Sequence, residues 1–417
     1  MEYLVSTAQM QPMFFKGAMD GVVAAMLQVA SAASLEFSTR SMALELMVTL
    51  TETAPALARR CPGLVKGLVP LAFSLMLEVD ESESEWVRGS YSEEPADENH
   101  AVGEEAIERA ATGMGGKVIA PPVFEIVQQY AAHMNWNYRR AAVAAVQRLV
   151  EGCSDVFKTY LQSAMQFLHA SLSDASQRVR YQAIETIGRL PVLYPNHINQ
   201  FVEKYVPVLT GLLADTSMCD KVRGHAASAL INIVNPEDCE SDILEPFLDG
   251  MLSALVGVLQ SSSLEVQGPS LLLLGLIAQN SSTAFIPHYA SFMPGIKSIL
   301  HTATAEQYAD LRGKAMQCVG LLGEAVGVQT FAPDALEVMQ LLLAAMAGKT
   351  PETSDGIFES ILPACARISK ALGPQFEMFL PTVMGPLLVG AAQEIKFSMV
   401  DVNDSDEDGD IEEEEDR

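Results

Sequence analysis

The chain has 417 residues, 49% of them hydrophobic and 7% aromatic, and its 53 acids against 26 Lys and Arg give a formal net charge of −27. That balance argues against direct nucleic-acid binding, which needs a basic footprint. The longest apolar runs, such as Leu271 to Ala278, are far short of a bilayer span, and the opening residues Met1-Glu2-Tyr3-Leu4-Val5-Ser6 lack the basic-then-apolar order of a secretory signal.

Read in chain order, residues 1–9 look like the end of a helix, and helix pairs follow near 12–57, 61–114, 116–153, 156–192, 196–234, 242–280, 285–327 and 331–372. One more helix, about 375–395, lacks a partner. Terminal repeats normally carry a polar capping face, so unpartnered helices at both ends imply a piece of a longer array. The expected organisation is a truncated helix end at 1–9, repeats at 10–77, an acidic insertion loop at 78–99, repeats at 100–395 and an acidic disordered tail at 396–417.

The pairs share a signature. Arg-x-x-Ala occurs as Arg40/Ala43, Arg139/Ala142, Arg180/Ala183, Arg223/Ala226 and Arg312/Ala315, with Gln267/Ser270 filling the gap. From Arg139 onward the steps are 41, 43, 44 and 45 residues, the period of HEAT and armadillo helical arrays. The fold expected is all-α: a HEAT-repeat α-solenoid, a right-handed superhelix of antiparallel helix pairs. After Arg139, positions such as Ala142, Val146, Leu149 and Val150 form a dry stripe, and Arg140, Ala144, Gln147 and Glu151 form an opposite stripe expected to be wet. The small residue lets paired helices approach closely, and the Arg is expected to reach an upstream turn acid, Asp174 for Arg180 and Asp215 for Arg223.

The six cysteines lie far apart with no C-x-x-C, which fits free thiols in a reducing compartment. The seven histidines give no metal-ligand spacing, and His169 and His225 read as packing or surface residues. Gly113-Met114-Gly115-Gly116-Lys117 lacks phosphate-loop spacing and the following Ser or Thr, so it reads as an inter-helix turn. No nucleophile, base and orienting residue can be assembled, and neither an enzyme nor a cofactor is expected.

Charge is uneven. Residues 78–98 hold nine acids against Arg88 and residues 401–417 hold eleven against Arg417, so −8 and −10 together make two thirds of the excess. Such runs are solvated, self-repelling segments or surfaces for basic partners. In the first, Asp80, Glu81, Glu83 and Glu85 surround Trp86, read as a single apolar anchor on a mobile loop that folds over a basic partner, with Ser82 as a phosphorylation site that would deepen its charge.

Several stretches together resemble the importin-β superfamily of nuclear transport receptors, in particular the importin-5 (karyopherin-β3) type. They are 43–54 (ALELMVTLTETA), 104–117 (EEAIERAATGMGGK), 151–153 (EGC), 225–232 (HAASALIN), 289–294 (YASFMP), 312–327 (RGKAMQCVGLLGEAVG), 338–343 (VMQLLL) and 379–388 (FLPTVMGPLL), collinear over essentially the whole chain. The resemblance implies the middle of a receptor, without the amino-terminal arch that is a main surface for the GTPase Ran. It implies cargo proteins with lysine-rich localisation signals, Ran and phenylalanine-glycine nucleoporins as partners, no direct nucleic acid, no membrane insertion, and shuttling between cytoplasm and nucleus. Second helices would line a concave face, and the family's cargo site maps to Glu108, Glu151 and Asn232; where the family pattern has an Asp after the Arg180 helix, this chain has Leu193. A lysine ammonium donates three hydrogen bonds that carboxylates and an amide can accept. Each charged contact contributes about 1 to 3 kcal/mol where water is partly excluded. The alternative from a different class is a HEAT scaffold subunit of a phosphatase or chromatin complex.

Overall fold

The structure is a computed structural model that describes residues 1–79, 81–89, 99–235, 237–261, 263–346 and 357–391. Among these residues every regular element is helical. In chain order they are α1 (Glu2–Met10), α2 (Met19–Ser31), α3 (Phe37–Thr53), the single turn α4 (Pro55–Ala58), α5 (Pro62–Met76), α6 (Glu83–Arg88), α7 (Asn99–Met114), α8 (Gly116–Ala131), α9 (Trp136–Gly152), the turn α10 (Ser154–Phe157) and α11 (Leu161–Ser171). Then come α12 (Gln177–Leu193), α13 (Ile198–Ala214), α14 (Asp220–Ile233), α15 (Ser241–Ser261), α16 (Leu264–Asn280), the turn α17 (Ser282–Phe285), α18 (Tyr289–Thr302), α19 (Ala309–Met346), α20 (Ile357–Leu372) and α21 (Leu380–Ala391). The long α19 is two helices joined at Gly327, whose φ of 73° turns the chain without a loop. Sequence reading placed a break from 327 to 331, and the chain turns at the start of that interval, at Gly327.

Each repeat pairs a first helix (α2, α5, α8, α11, α13, α15, α18) with a second (α3, α7, α9, α12, α14, α16 and the start of α19). The second helices stack directly on one another along the whole row, whereas first helices meet more sparsely. A stack that is tight on one side and splayed on the other curves toward the tight side, so the second helices line the inner face. Two glycines show how close that stack is. A Cβ at Gly152 would sit 2.6 Å from the Glu108 carbonyl oxygen of the preceding inner helix, and one at Gly224 2.8 Å from that of Glu265 in the next. One continuous apolar core runs from Val5 to Val383, as expected where every repeat buries itself against its neighbours.

The recurrent Arg has a definite job. Arg40 Nε donates to Ala30 O at 3.1 Å, Arg223 Nε to Leu213 O at 3.0 Å, Arg312 Nη1 to Ala303 O at 2.7 Å, and Gln267 Nε2 to Leu259 O at 3.2 Å. Arg139 Nη1 reaches His133 O and Met134 O, and Arg180 Nε reaches Asp174 O. In each case a side chain from the second helix caps carbonyls at or just beyond the carboxyl end of the first, where backbone acceptors are left unpaired and the helix dipole favours a cation. The small partners Ala43, Ala142, Ala183, Ala226, Ala315 and Ser270 are all fully buried.

This corrects the expected acid partners. The Asp174 carboxylate is held by Arg139 of the preceding repeat, through two bonds of 2.7 Å, and by Ser176 N at 2.8 Å, while Arg180 takes only its carbonyl. Burial opposes ionisation of Asp174, but those bonds outweigh it and hold its carboxyl below the usual range. Arg223 pairs with Asp220 at 3.4 Å, and the Asp215 carboxylate accepts from Ser217 N and Oγ. Three members of the expected wet stripe of α9, Arg140, Ala144 and Gln147, are buried, and only Glu151 stays partly exposed, because an inner helix is covered by its own partner and by both neighbouring inner helices.

The acidic insertion departs from a free loop. Residues 83–88 form α6, opened by a capping box in which Ser82 and Glu85 bond each other's backbone N–H. Trp86 is buried, edge-on to Tyr181 of α12 at 5.2 Å, with Lys221 Nζ of α14 4.7 Å from its ring. Arg178 lies between the chain's two tryptophans, 5.7 Å from Trp86 and 5.6 Å from Trp136. Glu83 accepts from Gln177 N at 2.8 Å and caps α12, and Glu81 accepts from Arg178 through its carbonyl at 3.2 Å. The segment is thus a strap from the α5–α7 repeat across the edge of the later inner helices, and its anchor is already docked on its own solenoid. Asp80 and residues 90–98, and the tail expected at 396–417, lie outside the described residues.

Trp86→Ala should release this strap. Truncating a buried Trp costs about 3 kcal/mol or more, on the order of a hundredfold in the undocked population. Trypsin cleavage at Arg88, followed by mass spectrometry, should accelerate accordingly; an unchanged rate would mean that Trp86 does not hold the segment down.

Candidate functional site: an acidic groove on the inner helices

Polar residues spaced three and four apart on each inner helix share one face. On α7 they are Glu104, Glu105, Glu108 and Arg109, on α9 Gln147, Arg148 and Glu151, on α12 Gln182, Glu185 and Arg189, and on α14 Asn232. Arg148 gathers three of the acids. Its Nη1 lies 3.2 Å from both Glu108 Oε2 and Glu151 Oε2, and its Nη2 lies 3.1 Å from Glu104 Oε2. Glu104, almost wholly buried, also takes Arg140 at 3.0 Å. Arg189 approaches Glu151 at 3.5 Å from the next helix. At the upstream end Arg109 bridges Glu45 and Glu52 of α3 and Glu105 of its own helix. In this network seven carboxylates (Glu45, Glu52, Glu104, Glu105, Glu108, Glu151, Glu185) face four guanidiniums (Arg109, Arg140, Arg148, Arg189), a local charge of −3.

The electrostatics follow from that crowding. Hydrogen bonds to Glu52 and Glu45 push the Arg109 pKa further up. Burial disfavours the charged Arg148, but Glu104, Glu151 and Glu108 outweigh it, so its pKa too is raised. Glu185 moves the other way for a carboxylate: burial, aided by repulsion from Glu104, raises its pKa although the Gln147 amide donates to it at 3.2 Å. Gln147 Nε2 also lies 3.5 Å from Glu151 Oε1, so one amide spans Glu151 and Glu185.

The structure brings Glu108 and Glu151 to one guanidinium, with Gly152 allowing their helices the close approach this needs. Asn232 lies farther along the same row; its Nδ2 donates to Gly188 O at 2.9 Å, which ties α14 to α12. Leu193, where the resemblance called for an Asp, is half-buried and packs on the core. Glu185, two turns earlier on α12, supplies the carboxylate that this helix would otherwise lack. Sequence reading missed Glu185, Glu104 and Arg148. Their signal was present as polar residues at three- and four-residue steps, 104 and 108 on α7, 148 and 151 on α9, and 182, 185 and 189 on α12. Glu81, Glu83, Glu85 and Trp86 are not part of this groove: Glu81, Glu83 and Trp86 are engaged by α12 and α14, and Glu85 bonds back to Ser82.

Comparison with known proteins gives a consistent picture. Residues 32–121 match the importin repeat family and residues 136–190 a HEAT-like repeat. The chain is 30% identical over 395 residues to importin subunit beta-3 of Saccharomyces cerevisiae, covering 94% of the chain and 36% of that protein. It is 23% identical to a probable importin-5 homolog of Dictyostelium discoideum, covering 91% of the chain and 35% of that protein. Among solved structures, Kap121p bound to Pho4p superposes with a TM-score of 0.84 at 28% identity, covering 94% of the chain and 38% of Kap121p. Kap121p bound to Nup53p also gives 0.84, at 29% identity and with 94% and 37% covered. The chain thus spans about a third of the length of the curated relatives it matches, 36% and 35% in these two cases.

Proposed function

Since the chain belongs to the importin-β superfamily, we propose that it is the central part of a nuclear import receptor and that its acidic groove binds the lysine-rich localisation signals of cargo in extended form. The observation that carries this reading is the convergence of Glu108, Glu151 and Glu185 on adjacent inner helices, within a network of net −3. Lysine is a compact, strongly hydrated cation with three donors, and such a row offers it paired oxygens one repeat apart. Kap121p, a structural neighbour, has been seen with Pho4p and with Nup53p. By extension the whole receptor to which this stretch corresponds carries cargo through the pore by contacts with phenylalanine-glycine nucleoporins, releases it when Ran-GTP engages, and shuttles between cytoplasm and nucleus. The reported relatives bear importin and karyopherin names, which supports a transport role over an enzymatic one.

A labelled oligolysine peptide tests this reading, with Ran-GTP added to the whole receptor to which this stretch corresponds, amino-terminal arch included. The expected result is binding that Ran-GTP weakens. Binding that Ran-GTP leaves untouched in the whole receptor favours a HEAT scaffold, and no binding removes the cargo role of the groove.

A further inference from the structure

We infer that Arg148 is a built-in competitor for the groove, occupying Glu108 and Glu151 as a ligand cation would and so setting how basic a segment must be to bind; the inference rests on the groove reading above. The Arg148 Nη1 sits midway between Glu108 Oε2 and Glu151 Oε2, 3.2 Å from each, where a ligand ammonium would lie to take both. Its position is not that of a structural arginine sealed in the core. The Arg148 side chain is 27% exposed and those of Glu108 and Glu151 are 35% and 19% exposed, against 3% for Arg140 in the buried pair beside it.

Nor is Arg148 fully matched. Its buried Nε–H has no hydrogen-bond partner among the described residues, although buried donors are nearly always paired. Both contacts at Nη1 are long for charge-assisted bonds. Glu104, the one deeply buried carboxylate of the three, keeps Arg140 at 3.0 Å if Arg148 swings away. Displacement therefore leaves no buried carboxylate unpaired, and two half-exposed acids are freed for the incoming cation. A segment with one isolated lysine exchanges one cation for another and gains little. A polybasic segment can place one lysine against Glu151 and Glu185 and another against Glu108, and it wins by number.

The test is the affinity of a labelled oligolysine peptide for the full chain and for Arg148→Gln, with Arg109→Gln as the charge control. Arg109→Gln alters net charge equally but frees Glu45, Glu52 and Glu105 one helix upstream. Arg148→Gln is expected to tighten binding by about tenfold, and Arg109→Gln by about twofold at most. Arg148→Met, which keeps the buried stem, gives the same readout if the Gln variant loses helicity. Binding to the wild-type chain that is unchanged or weakened by loss of Arg148 overturns this inference alone, as does equal tightening in the control. No binding to any form overturns the groove reading and this inference with it.

Discussion

Arg140→Met is expected to destabilise the α7–α9 region by about 3 kcal/mol, the lower end of what breaking a buried ion pair costs. Arg140 and Glu104 expose only 3% and 7% of their side chains, so the carboxylate left behind is deprived of its closest charge partner out of reach of water. Arg140 Nη2 also donates to Met76 O at 2.7 Å, capping the end of α5 in the preceding repeat, and Asn137 Nδ2 does the same for Leu77 O. The cost stays at the lower end because Arg148 remains 3.1 Å from Glu104. The double variant Arg140→Met with Glu104→Leu should recover much of the loss, since apolar replacement of both partners of a buried pair is often close to neutral. Amide hydrogen exchange in α7 and α9 reads the effect locally, which suits an array whose repeats need not unfold together. Unchanged protection in the single variant would show that the pair is not a tie between repeats.

The helix pairs were legible because their cause is local. Three- and four-residue apolar steps specify an amphipathic helix wherever they occur, and a signature returning every 41 to 45 residues specifies a stack of like units. What the Arg of that signature touches was not legible. Spacing fixes its place at the start of the second helix, but the side chain can reach its own repeat, the previous one or the next. Arg139 does two of these at once, capping its own first helix and holding Asp174 of the next repeat. An acid in the upstream turn was a natural guess, and for Arg180 and Arg223 a main-chain carbonyl also claims the side chain, because a helix terminus leaves such acceptors unpaired.

The groove was half legible for a related reason. Glu108 and Glu151 sit on the polar stripes of their helices, and the resemblance to transport receptors drew attention to them. Glu185 and Arg148 emerge only when neighbouring inner helices are laid side by side, because their roles are defined by residues about 40 positions away, such as Gln147 for Glu185 and Glu108 for Arg148. The strap failed in a different way. A dense acidic run reads as solvated, but Glu81 and Glu83 find Arg178 and the amino end of α12, and the aromatic in their midst finds Tyr181, Arg178 and Lys221. One tryptophan with basic and aromatic neighbours outweighs the self-repulsion of the acids around it.

Reversing charge at Glu151 tests the groove most directly. In Glu151→Arg a guanidinium stands where a ligand ammonium must sit, beside Arg148 and Arg189, and Gln147 loses one of the two carboxylates it spans. Affinity for a labelled oligolysine peptide at physiological salt should fall by about 2 to 5 kcal/mol, roughly 30-fold or more. Reversal at Glu407, one of eleven acids in residues 401–417, should change affinity by about 0 to 1 kcal/mol, because so dense a like-charged run is expected from its sequence to be solvated and screened. Helicity by circular dichroism, checked for both variants, separates lost binding from lost fold. A loss confined to Glu151→Arg is the expected result. Small, equal losses in the two variants would contradict it and mean that basic peptides are held by diffuse charge over the whole chain, with no groove at α7, α9 and α12.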